Sequence, residues 1–97
     1  MVRQIVLLRW REGISEEEKT EVALGLRSLE EKIEGVRAMK MGSDLRVRSD
    51  NFDFGISVDF DDKEGYLNYR NHPAHQDVVE RLIGPAMAER AGLVFEY

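Results

Sequence analysis

The stretch FDFGISVDF, residues 52–60, decides the fold. Phe54, Ile56, Val58 and Phe60 fall on one side of an extended chain, and Asp53, Gly55, Ser57 and Asp59 fall on the other, a clean period of two. Such a strand can bury one face under helices, while its polar face must meet water, a polar cavity or a partner. The segment Val2–Trp10 alternates too, with Val2, Gln4, Val6, Leu8 and Trp10 on one side and Arg3, Ile5, Leu7 and Arg9 on the other. Both sides are partly apolar, so this strand is expected to be covered on both.

Between the two strands lies GISEEEKTEVALGLRSLEEKIEG, residues 13–35. Ser15 with Glu18 forms a capping box, and Glu16 and Glu17 sit at the positive end of the helix dipole. Val22, Leu26, Leu29 and Ile33 make one apolar stripe on a helix of about 30 Å that Gly35 stops. VRAMKMGSDL, 36–45, reads as a strand and RVRSDN, 46–51, as a polar loop. Asp61 is expected to cap a short helix over DKEGYLNYRN, 62–71, and Pro73 to open another carrying Val78, Val79, Leu82 and Ile83. Pro85 kinks or ends that helix, because it has no N–H and clashes with the Arg81 carbonyl. GLVFEY, 92–97, closes the chain as a strand. The order of strand, helix, two strands, helix pair and strand suits the split β-α-β, ferredoxin-like arrangement of the α+β class.

Ninety-seven residues, 42% of them hydrophobic, fit one folded domain spanning 1–97 whose core is thin, which favours association with a second copy. The longest apolar run, IVLL at 5–8, is far below the roughly 18 residues of a membrane span. MVRQIVLLRWRE offers no small-residue cleavage site, so the expected location is cytoplasmic. There is no cysteine, which excludes disulfides, thiolate ligands and a cysteine nucleophile. A net charge of −5, with Arg46 and Arg48 as the one basic cluster, argues against a nucleic-acid partner.

Both histidines lie in YRNHPAHQD, 69–77. His75 precedes Val78, Val79 and Leu82 by three, four and seven positions, which puts it on the apolar side of the last helix. It reads as a core histidine with one hydrogen bond, or as a general base oriented by a carboxylate, for which Glu96 on the final strand is a candidate. His72 sits outside that stripe. A metal clip of the two is disfavoured by Pro73 between them and by the lack of further nitrogen or sulfur ligands, so no metal is expected.

QIVLLRWREGISEEEK, GVRAMKMGSD, YRNHPAHQDVVE and the terminal LVFEY together resemble the stress-responsive α/β-barrel (Dabb) family, over essentially the whole chain. The Tyr-x-x-His-Pro-x-His run at 69–75 is the most specific piece. The resemblance implies a ferredoxin-like protomer whose four-stranded antiparallel sheet pairs with a second copy to close a dimeric α+β barrel. Asp53, Ser57 and Asp59 would then look toward the barrel interior or its rim, with Arg3 and Arg9 as neutralising partners. The family's best understood activity is an aldol-type ring closure by a plant polyketide cyclase, with a pocket between sheet and helices. That implies His75 as base, Tyr69 as donor to the developing enolate and Glu96 as the carboxylate that orients the histidine. The pocket would be walled by Val6, Leu8, Leu26, Ile56 and Val78, without a cofactor. This chain departs from the cyclase at Gln4, where a further pocket histidine is expected, and at Val22, Ala23 and Leu26, where the cyclase has bulky aromatics. Glu96 stands where aspartate is usual. The expected function is thus a cofactor-independent cyclase or isomerase acting on a carbonyl or polyketide-like substrate. The alternatives are a non-catalytic dimer that binds a small apolar ligand or acts in stress, and a cofactor-independent monooxygenase of the antibiotic-biosynthesis type.

Overall fold

The computed structural model describes all residues, Met1–Tyr97. Strands β1 (Val2–Trp10), β2 (Val36–Ser43), β3 (Phe54–Phe60) and β4 (Met87–Glu96) form one antiparallel sheet in the order β2-β3-β1-β4. Helices α1 (Glu16–Lys32), α2 (Lys63–Asn71) and α3 (Pro73–Val78) cover one side of it. This is the expected ferredoxin-like arrangement. No helix is long and apolar enough to cross a membrane.

β1 lies at the centre, so its two faces set the two environments of the molecule. Val2, Gln4, Val6, Leu8 and Trp10 are buried under the helices, as are Phe54, Ile56, Val58 and Phe60 of β3. The α1 stripe of Val22, Leu26, Leu29 and Ile33 closes over this double row as the sequence pattern predicts. Ser15 Oγ accepts the Glu18 N–H at 3.1 Å and caps α1. The Glu18 carboxylate does not return to the cap; it accepts from Arg11, at 2.6 Å to each oxygen, so half the capping box is made. Gly35, at φ 96°, provides the left-handed turn that carries the chain from α1 into β2.

Several boundaries differ from expectation: β2 ends at Ser43 and β3 begins at Phe54, each two residues inside the expected span. Asp62, not Asp61, caps α2, through its Oδ1 and the Gly65 N–H at 2.9 Å, because Asp61 is taken by Arg37. After α3 the chain widens into a π-helical stretch, Val79–Ile83, in which the Gly84 N–H reaches the Val79 carbonyl, and one further turn, Gly84–Ala86, ends at β4. This is how the helix accommodates Pro85. β4 begins at Met87 rather than Gly92, since the backbone of β1 holds it along its whole length even where Ala88, Glu89 and Arg90 lack an apolar period.

Ile5 and Leu7 of β1, Ala91, Leu93 and Phe95 of β4 and Gly55 of β3 share the helix-free side of the sheet. Leu93 is 57% exposed and Phe95 37%. Arg3 binds Asp59 on the same side through two hydrogen bonds of 2.7 and 2.9 Å, which hold the Asp59 carboxyl below the usual range. Asp53 accepts the Trp10 N–H at 2.7 Å and pairs with Arg46. The direct partners are thus Arg3 for Asp59 and Arg46 for Asp53; Arg9 adds only its positive field at Asp53, while it pairs with Glu89 at 2.9 Å and stacks on Phe52.

Leu29 is fully enclosed and Leu24, on the same helix, is 61% exposed. Leu29→Ala is expected to lower unfolding free energy by about 2–5 kcal/mol and Leu24→Ala by less than about 0.5 kcal/mol. Chemical denaturation of both variants checks this contrast.

Candidate functional site

The helical layer does not seal the sheet completely. Between the middle of β1, the β4 face beside it and the α2–α3 corner lies a cavity of about 330 Å³. Gln4, Val6 and Leu8 form its floor with Ile56, and Leu26 borders it from α1. Each of these was expected there. Val78 was not confirmed as a wall residue: it turns into the core, where its methyl groups face Gly25 of α1, and Val79 and Ile83 take the wall position.

The single extended residue His72, between the end of α2 and the start of α3, positions the histidines. His72 Nδ1 accepts the Ala74 N–H at 3.0 Å and caps α3, and Pro73 occupies the first helical position. His72 is therefore a structural residue outside the cavity. His75, one turn on, lines it. Its Nδ1 is 3.1 Å from the Arg70 carbonyl oxygen, which also accepts from Gln76 Nε2 at 2.9 Å. A carbonyl oxygen can only accept, so Nδ1 carries the proton and Nε2 keeps its lone pair. No group of the protein hydrogen-bonds Nε2. Burial, with a smaller contribution from the positive charge of Arg90, holds the imidazole below its ordinary value of 6.5.

The Tyr69 ring lies 4.5 Å from the His75 ring, centre to centre, and 5.2 Å from the Phe60 ring. Burial pushes the Tyr69 phenol up to about 12, so it stays protonated and a donor. Neither the Tyr69 hydroxyl nor the Gln4 amide has a protein partner. Since no fully occluded side-chain oxygen or nitrogen in the protein lacks one, both groups open onto the cavity they line.

Glu96 is the expected residue that the fold does not bring to His75. It lies opposite Val2, at the far end of β4, and borders a separate depression with Val2, Lys63 and Leu67. The register explains this: the β4 residue that faces the helices beside Leu8 is Arg90, six positions earlier. The Arg70 carbonyl thus fixes the tautomer that a carboxylate was expected to fix. Tyr66 lines the cavity beside Tyr69, and Arg70, Gln76, Met87 and Arg90 line it without having been foreseen. Arg90 carries a signal that was available: it alternates with Gly92 and Val94 on one face of β4, provided the strand is extended back to Met87. A larger, open depression of about 410 Å³ lies where the β2–β3 loop meets Leu7 and Gly55, and its charged residues are Asp44 and Asp50. It has no histidine and no arginine, and it borders the helix-free face.

The pattern described as the Stress Responsive A/B Barrel Domain matches residues 2–97. An uncharacterized protein of Streptomyces coelicolor is 31% identical over 78 residues, covering 78% of this chain and 80% of that protein. A dimeric ferredoxin-like protein of unknown function from Thermobifida fusca superposes with a TM-score of 0.90 at 28% identity, over 99% of this chain and 90% of that one. A hydroxynitrile lyase from Passiflora edulis superposes with a TM-score of 0.87 at 21% identity, over 97% and 90% of the two chains, a likeness of fold.

In an NMR titration the ring protons of His75 are expected to titrate below pH 6.5. Because the folded value lies below the unfolded one, the stability gained by keeping the ring neutral is complete above pH 6.5. It is lost as pH falls from there through the folded value. His75→Gln should flatten that part of the stability profile, which denaturation at several pH values would measure.

Proposed function

We propose, for a chain that belongs to the stress-responsive A/B barrel family, a cofactor-independent enzyme that uses His75 as a base on a carbonyl substrate with an acidic α-proton. The observation that carries this reading is the 3.1 Å bond from His75 Nδ1–H to the Arg70 carbonyl, which leaves the Nε2 lone pair unpartnered at the wall of a cavity. Nε2 takes a proton from carbon next to the carbonyl, and the C–H electron pair moves onto the carbonyl oxygen as an enolate. The Tyr69 hydroxyl donates to that oxygen. The enolate carbon then attacks a second carbonyl of the same chain, as in an aldol-type ring closure, and the imidazolium returns its proton to the alkoxide formed. Val6, Leu8, Leu26 and Ile56 keep water from the reacting carbon. A poly-β-carbonyl chain is the substrate class that supplies both an acidic proton and a second carbonyl. The Passiflora edulis hydroxynitrile lyase lends only the support of a shared fold.

A second reading, binding of a small apolar ligand without turnover, is favoured by the predominantly apolar wall of the cavity. The two readings separate on one variant. His75→Gln is expected to lower turnover of β-dicarbonyl or poly-β-carbonyl substrates by about 10²–10⁴-fold. In the wild type, kcat/KM should fall on the acid side below pH 6.5, and ionisation of Tyr69, at about 12, should not limit the alkaline side. Turnover unchanged in His75→Gln refutes the base; ligand binding with no turnover in the wild type supports the second reading.

The working unit we propose is a homodimer joined through the helix-free sheet faces, which would cover Ile5, Leu7, Leu93 and Phe95. The dimeric Thermobifida fusca relative supports this assembly. Leu93→Asp places a charge in the middle of the proposed contact and is expected to shift the protein to monomer at micromolar concentration. Sedimentation equilibrium on wild type and variant checks the mass.

A further inference from the structure

The cavity that holds His75 is positively charged, in a protein whose net charge is −5. Seven of the ten arginines are ion-paired with a carboxylate. Of the three that are not, Arg70 and Arg90 line this one cavity, and no aspartate or glutamate lines it with them. That distribution leaves a site whose cationic charge has no counter-ion from the chain itself.

Arg90 is the better placed of the two. It stands on the helix side of β4, directly across from Leu8 in the cavity floor. Its guanidinium lies back along the strand over Gly92: a Cβ built at position 92 would come within 3.3 and 3.5 Å of the two terminal nitrogens. The missing side chain at Gly92, opposite Val6, is therefore the space in which the guanidinium rests. None of its N–H groups is hydrogen-bonded within the protein. A planar guanidinium with free paired donors matches a carboxylate in geometry and charge. The Gln4 amide, also unpartnered, offers a further donor from the neighbouring strand.

We infer that the cavity takes a carboxylate-bearing substrate, with Arg90 as the anchor for its carboxylate and thus the residue that sets specificity. This rests on the reading of the same cavity as a substrate site, and it names the substrate class: a keto acid, whose enolisable carbon is presented to His75 while the carboxylate is held on β4.

The test uses the full chain with 3-phenylpropionate and its neutral isostere 3-phenylpropionamide, titrated into the ¹⁵N-labelled protein and followed by NMR. The acid is expected to bind about tenfold tighter than the amide and to raise the pKa of His75, because its charge offsets that of Arg90. In Arg90→Gln the preference for the acid should vanish, with the amide bound as before; Arg90→Lys should keep part of it. Arg90 is exposed, and the amide spectrum of each variant reports whether it is folded. His75→Gln should keep the acid preference while losing turnover, so the anchor and the base fail separately. Equal binding of acid and amide by the wild type, no binding of the acid at millimolar concentration, or a preference that survives Arg90→Gln would each overturn the assignment.

Discussion

A central strand with a different obligation on each face is the constraint from which the rest of this molecule follows. β1 pairs with β3 on one side and β4 on the other, so neither of its edges is free and only its faces can differ. The row Val2, Val6, Leu8 and Trp10 must be taken out of water, and α1 can do this because Val22, Leu26, Leu29 and Ile33 recur at its own period. Gln4 interrupts the strand row with an amide. Over that amide the helical cover stands off, and the cavity begins.

The way the helical layer is closed decides what the cavity can do. Gly25 lets the segment after α3 approach α1 closely: a Cβ there would lie 2.4 Å from the end of Leu82. The π-helical stretch then sets Val79 and Ile83 against the cavity while Val78 enters the core. At the α2–α3 corner, the break that frees the Arg70 carbonyl from a regular helix also supplies the acceptor that His75 needs. A backbone carbonyl fixes the histidine tautomer without adding charge. A carboxylate in that place would stabilise imidazolium and raise the histidine pKa, whereas here burial lowers it. The site therefore holds an imidazole shifted toward its neutral form beside two arginines that have no carboxylate partner.

The elements were legible in the sequence because each carries its own period: two in β1 and β3, and four, three and four along α1. His75 was legible as the inward histidine, and Gln4, Val6, Leu8, Leu26 and Ile56 as cavity residues, since their facing follows from those periods and from the family resemblance. The start of β4 was not, because Ala88, Glu89 and Arg90 show no alternation that separates strand from turn; the hydrogen-bonding groups of β1 impose the strand there. That one displaced boundary hid Arg90 and left Glu96 as the apparent partner for His75.

By itself, the sequence determined the α+β class, the inward faces of β1, β3 and α1, the histidine on the apolar side of its helix and the proline that opens that helix. These are local matters, settled by side-chain period and backbone chemistry within a few residues. Only the tertiary structure decided which residue of β4 stands beside Leu8, and so placed an arginine rather than a glutamate near the histidine. Strand register is set by pairing between segments some eighty residues apart in sequence, a distance over which no local pattern acts.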